Sequence, residues 1–269
     1  MSIWLSVVIL AVIQGITEFL PVSSSGHLAV LGQLFGLRSD EGLAFSIVLH
    51  AGSLVAIVAF YFKTLLSLLK KENFRVWGMI IIGSIPAGAG GVLLKLSGYD
   101  KVFFNDLFSI GMSFLITASL LRMTGKEKLT CNAVTPLGKV NWKQSLIIGI
   151  SQMFAILPGI SRSGTTIAVG TFTGLQFEAA ATFSFLLALP AIGGAALLEV
   201  ISLCKHGFVI GSLSYPQLGA GFLISAAVSF ASLSLLVAII KRRKLSMFSW
   251  YMFALGIAVV GWQMIKLSR

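Results

Sequence analysis

Two short polar islands interrupt an otherwise lipid-like chain. The first runs from Gln14 through Glu18 and Pro21 to Ser23-Ser24-Ser25-Gly26-His27. The second is Pro158-Gly159-Ile160-Ser161-Arg162-Ser163-Gly164-Thr165-Thr166. Between them they offer a carboxylate, an imidazole, several hydroxyls and a guanidinium. That set could hold and cleave a phosphate ester. Ionisable groups at membrane depth are costly to keep, so they point to a functional site.

Gln14 and Glu18 are four apart and share one face of a helix. Both carry oxygen atoms suited to a hard divalent cation, Mg²⁺ or Ca²⁺. A carboxylate in low dielectric is also a competent general base. Pro21 ends the helix, and the serines follow in a turn that can present N–H groups and hydroxyls to an anion. Ser24 is a candidate nucleophile, with Glu18 or His27 as its activating base. His27 could equally be the nucleophile, or the acid that protonates a leaving oxygen, and direct attack by water would use the same residues. The plainer alternative makes Ser23 and Ser25 caps of the next helix.

The second island reads as the anion-binding half. Arg162 supplies the planar fork that matches phosphate geometry. Ser161, Ser163 and Thr166 add hydroxyl donors, and Gly159 and Gly164 allow close backbone approach. A helix starting near Gly164 would aim its positive N-terminus at the same anion. The alternative here is a buried Arg162–Glu18 salt bridge without a ligand. The two residues are expected close together in either case. His50, in the first crossing segment, is a further candidate for contact with the site.

The elements that must position these groups are transmembrane helices. The 269 residues are 57% hydrophobic and only 11% charged, against about 25% charged in soluble domains. The fold class expected is an all-α polytopic membrane protein, one integral membrane domain over 1–269. No Lys or Arg precedes the first apolar run, so a cleaved signal peptide is not expected. Six segments look able to cross the bilayer: about 43–62, 76–94, 107–121, 179–201, 217–240 and 248–265. The apolar stretches 3–20 and 144–157 instead end in the polar islands and are followed by short apolar pieces, 28–37 and 165–175. A segment that ends in prolines, serines and glycine at mid-depth reads as a re-entrant hairpin lined by protein or water.

The halves repeat. A shift of 138 positions places Gln14 on Gln152, Ser23 on Ser161, Ser25 on Ser163, Gly26 on Gly164 and Phe45-Ser46 on Phe183-Ser184. Repeat one covers about 1–125 and repeat two about 139–269. Each is a re-entrant helical hairpin plus three transmembrane helices. Three crossings per half give the halves opposite topology, so both hairpin tips can meet near the midplane.

The net charge of +11 does not indicate a nucleic-acid partner, because the basic residues lie at segment ends rather than on a soluble face. Loops 63–75, 122–143 and 241–247 hold most of them. The opposite side has only Arg38, Lys95, Lys101, Lys205, Lys266 and Arg269. By the positive-inside bias the three loops are cytoplasmic. Cys131 and Cys204 then fall on opposite sides, so no bridge between them is expected.

At Gln14 to His27 and again at Pro158 to Thr166, the chain resembles the undecaprenyl-diphosphate phosphatase family, the bacitracin-resistance type of membrane phosphatase. The matched patterns are Glu/Gln-x-x-x-Glu running into Phe-Leu-Pro-Val-Ser-Ser-Ser-Gly-His, and Pro-Gly-x-Ser-Arg-Ser-Gly-x-Thr. The resemblance covers essentially the whole chain. It implies hydrolysis of undecaprenyl diphosphate to undecaprenyl phosphate and inorganic phosphate, regenerating the lipid carrier of cell-wall synthesis. It implies the plasma membrane of a bacterium, with a site open to the periplasmic or outer face. The implied catalytic set is Glu18, Ser24, His27 and Arg162. Ser23, Ser25, Ser161, Ser163 and Thr166 join Arg162 on the phosphates, and a divalent cation sits near Glu18 and Gln14. Family members often have Glu at the first motif position, where this chain has Gln14. The rival from another class is a transporter or flippase of polyprenyl phosphate lipids. The oligomeric state stays open, a homodimer among the options.

Overall fold

Side-chain caps and prolines cut the apolar chain into helices. The computed structural model describes residues 2–35, 39–98, 106–125, 135–206 and 213–268. Cys131 and the outer-side candidates Arg38, Lys101 and Arg269 lie outside these residues. In chain order the helices are α1 Ile3–Phe19, α2 Ser24–Phe35, α3 Ser39–Phe60, α4 Phe62–Leu68, α5 Phe74–Ser97 and α6 Leu107–Met123. They continue with α7 Trp142–Phe154, α8 Arg162–Phe172, α9 Phe177–His206, α10 Tyr215–Lys241 and α11 Phe248–Leu267. The described residues contain no strand, only an isolated bridge between Thr135 and Leu175.

Several boundaries have a readable cause. Ser2 caps α1 by accepting from the Leu5 N–H. At the other end Leu20 is extended, as the residue before a proline prefers. Asp106 caps α6. Asn141 and Gln144 form a reciprocal capping box on α7. Ser161 caps α8 through the Gly164 N–H. That helix therefore begins at Arg162, two residues before the expected start.

Among the described residues four helices are long and apolar enough to cross a membrane, within 71–97, 177–198, 215–241 and 245–266. A fifth span is possible if α3 and α4 count together, although they bend by 68°. The expected loop 63–75 therefore contains a helix. Tyr61 stands at the break, its ring against Phe60 and Phe185. The remaining expected crossing, the third in chain order, is α6, whose 17 residues are at the short end for a bilayer span. Large apolar side chains such as Leu93, Leu96, Leu223, Trp250 and Ile257 are exposed, as on a surface that lipid would cover.

Each polar island lies at the tip of a helical hairpin, α1–α2 and α7–α8. Both are braced by long helices: α1 packs on α10 and α7 on α5, while α3 meets α9 and α10, and α6 meets α11. The α5–α7 contact is backbone on backbone, since a Cβ on Gly149 would sit 2.3 Å from the Gly83 oxygen. Phe19, Phe114, Phe183 and Phe185 fill the interior between the hairpins.

Candidate active site

The two hairpin tips meet at Glu18. Its carboxylate is buried at the end of α1. One oxygen, Oε1, accepts from Arg162 Nη2 at 2.7 Å. The other, Oε2, accepts from Ser24 Oγ at 2.6 Å and from Gln14 Nε2 at 3.0 Å. His50 on α3 brings Nε2 to 3.7 Å from Oε2, while its Nδ1 bonds the Ser46 carbonyl at 2.8 Å. Residues from four helices thus converge on one carboxylate. A buried charge tolerates desolvation only when paired and hydrogen-bonded, and Glu18 and Arg162 satisfy that condition for each other.

Backbone geometry sets this up. Ser23 is left-handed, φ 66°, an uncommon state for a residue with a side chain. That turn reverses the chain between Pro21 and α2 and starts the helix at Ser24. Ser23 Oγ accepts from the Gly159 N–H at 3.1 Å, so the turn of the first hairpin is tied to the turn of the second. Gly159 has φ 93°, and a Cβ there would lie 2.5 Å from the Ile110 oxygen. Thr117 on α6 donates to the Gly159 carbonyl and accepts from the Ser161 N–H. It stitches the second turn to its neighbour.

Of the expected site residues, Gln14, Glu18, Ser24 and Arg162 meet directly, and His50 faces them. Ser25 contacts Ser23 at 3.4 Å. Ser161 and Ser163 are buried, 3.3 Å apart, and Ser163 donates to the Leu20 carbonyl. Thr166 donates to the Arg162 carbonyl and bonds Ser184 on α9. Of these hydroxyls Ser163 reaches across to the other hairpin and the rest bond within their own island or to α9, whereas Ser24 is the one that bonds Glu18. His27 stands apart from the Glu18 cluster, one ring nitrogen on the Ser23 carbonyl and the other on Tyr251. Thr117, Ser184 and Tyr251 were not picked out from sequence. Each is a polar group on an apolar helix, and nothing local marks it as meeting an island.

The donors for a cation are limited. Among the described residues no three of His, Cys, Asp and Glu cluster as metal ligands. Gln14 Oε1, however, is buried without a hydrogen-bond partner beside the Glu18 carboxylate. One carboxylate and one orphaned amide oxygen suit an ion that takes its remaining ligands from water and substrate phosphates, the usual habit of Mg²⁺. They do not form a closed protein cage.

The chain is similar to known proteins over most of its length. The profile of the bacitracin resistance protein BacA matches residues 7–258. An undecaprenyl-diphosphatase of Methanosphaera stadtmanae is 38% identical over 95% of this chain and 96% of its own length. One from Bacteroides thetaiotaomicron is 36% identical, with 96% of this chain and 98% of the relative covered. Undecaprenyl-diphosphatase 4 of Bacillus cereus is 37% identical over 96% of each.

Proposed function

This chain belongs to the family of the bacitracin resistance protein BacA, and from that premise we propose that it hydrolyses undecaprenyl diphosphate to undecaprenyl phosphate and inorganic phosphate. The observation that carries the reading is the shared carboxylate. Glu18 holds a serine hydroxyl on one oxygen and an arginine on the other. A nucleophile, its base and an anion-binding fork thereby stand within a few ångströms of one another.

The diphosphate docks with its terminal phosphate between Ser24 and Arg162. Among the described residues Arg162 bonds Glu18 through Nη2, which leaves the rest of its fork for phosphate oxygens. Ser24 Oγ attacks the terminal phosphorus as its proton passes to Glu18 Oε2. The bond from phosphorus to the bridging oxygen breaks, and undecaprenyl phosphate leaves. Water then attacks the serine phosphate. Glu18 returns its proton to the departing Oγ, and the protons of the water leave with inorganic phosphate. Fixed donors aimed at charge that develops in the transition state supply most of the acceleration. A Mg²⁺ or Ca²⁺ ion, held by Glu18 and Gln14, would polarise the phosphate oxygens.

The two halves are inverted repeats in the plasma membrane, with the site open to the outer face. The charge bias of the loops supports this orientation. Exchanged contacts support the repeat: Gly83 meets Leu187, and Gly221 meets Leu49, each residue 138 positions from its counterpart. Such pseudo-symmetry also serves transporters. A transporter of polyprenyl phosphate, however, has no use for a serine hydrogen-bonded to a buried carboxylate. The test is phosphate release and lipid binding by purified protein and by Ser24→Ala. Loss of release with lipid binding retained supports the enzyme. Lipid movement across proteoliposomes without any hydrolysis supports the transporter.

A further inference from the structure

We propose that Tyr251 is a positioning residue for Ser24, acting through His27, and that His27 is a strut rather than a proton carrier. This rests on the phosphatase reading only for its kinetic arm. His27 Nδ1 lies 2.7 Å from the Ser23 carbonyl oxygen. A carbonyl only accepts, so Nδ1 carries the proton. In the neutral ring Nε2 is then an acceptor, and it receives the Tyr251 hydroxyl at 2.7 Å. The two rings stack, 9° from parallel with centroids 5.8 Å apart, and Phe114 packs on the imidazole at 5.5 Å. Both ring nitrogens are thereby occupied, neither by a group of the Glu18 cluster.

What this brace holds is the turn that aims the nucleophile. The Ser23 carbonyl takes the His27 ring N–H and also the His27 backbone N–H at 3.2 Å. Ser23 is the left-handed residue, a conformation that persists only where the surroundings over-determine it. The next residue is Ser24. Tyr251 belongs to α11 near the far end of the chain, so this contact ties the last helix to the first hairpin. Tyr251 is 49% exposed, so its hydroxyl bond and its stacking on His27 hold it rather than burial.

The test has two arms. In the first, protein carrying ¹⁵N-histidine in detergent is studied by NMR, with His27→Asn assigning the His27 signals. The expected result is His27 protonated on Nδ1 in the parent and, in Tyr251→Phe, the same tautomer with a displaced Nε2 resonance, because the variant keeps the ring and the Ser23 bond but loses the donor to Nε2. His27 protonated on Nε2, or no change in Tyr251→Phe, overturns the proposal, whatever the protein catalyses. In the second arm, phosphate release is compared for His27→Asn and His27→Ala. The Asn side-chain amide can replace the Nδ1–H donor but cannot carry a proton as imidazole does. His27→Asn is expected within about tenfold of the parent, the scale of one imperfect hydrogen bond, with His27→Ala far lower. Tyr251→Phe should lower kcat by about tenfold and leave KM alone, because it disturbs the nucleophile and not the phosphate sites. Equal inactivity of His27→Asn and His27→Ala would make His27 a proton carrier. A parent that releases no phosphate would sink the phosphatase reading while the tautomer arm still decides this one.

Discussion

Arg162 and Glu18, 144 positions apart in the chain, form a buried ion pair at 2.7 Å that joins the tips of two separate hairpins. Their side chains are 16% and 5% exposed. Removing one partner of such a pair strands the other charge, at a cost of about 3–5 kcal/mol. Glu18→Ala and Arg162→Ala are each expected to lose that much stability in detergent unfolding, and the double variant should lose much less than the sum. Additive losses would mean that the pair does not exist in the working protein.

Ser24→Ala removes one exchangeable hydroxyl from a partly exposed position. Phosphate release is expected to fall by about a thousandfold or more, as when a nucleophile is lost, while affinity for the lipid diphosphate changes little. Release that survives the substitution would assign the attack to water held on the same site.

Gln14→Glu would place two carboxylates one helical turn apart. The cation concentration for half-maximal release should drop, because the extra charge strengthens a hard-cation site. Without the cation the variant should be less stable than the parent, since the buried like charges repel. Titration with Mg²⁺ and Ca²⁺, paired with thermal unfolding in chelator, reads both effects.

Much of this site was legible because polarity stands out in hydrocarbon. Glu18 and Arg162 had to find each other once both were placed inside the membrane, and the shift of 138 positions already tied the two islands together. The serines were harder to read. Ser161, Ser163 and Thr166 look like phosphate donors, yet their hydroxyls bond Leu20, Ser184 and one another. A hydroxyl's partner depends on packing that spacing does not reveal. The break at Tyr61 was hidden for a similar reason: neither glycine nor proline marks it, and contacts with Phe60 and Phe185 accompany it.

Gly159→Ala tests the junction of the tips. Its φ of 93° and the 2.5 Å approach to the Ile110 oxygen leave no room for a methyl group. The substitution is expected to cost about 2–4 kcal/mol through strain and overpacking and to lower the unfolding temperature. Gly174→Ala is the control, with φ 94° but nothing within reach of its Cβ, so it should suffer the backbone strain alone.

Asp106 offers a pH-dependent check away from the membrane interior. Its hydrogen bond from Ser109, aided by the N–H groups it caps, holds its carboxyl below the usual carboxylate range. A depressed carboxylate contributes stability above its unfolded pKa and loses it as pH falls through the folded value. Asp106→Ala should therefore cost about 1 kcal/mol at neutral pH, and the difference from the parent should close as pH falls through the depressed folded pKa of Asp106.

The central claim is that both hairpins build one phosphate-releasing site. Its most direct test is phosphate release from undecaprenyl diphosphate by purified protein, with Mg²⁺ or Ca²⁺ and with chelator, beside Glu18→Ala and Arg162→Ala. Cation-dependent release by the parent that vanishes in both variants is the predicted result. Well-folded parent protein that binds the lipid but releases no phosphate would contradict the account.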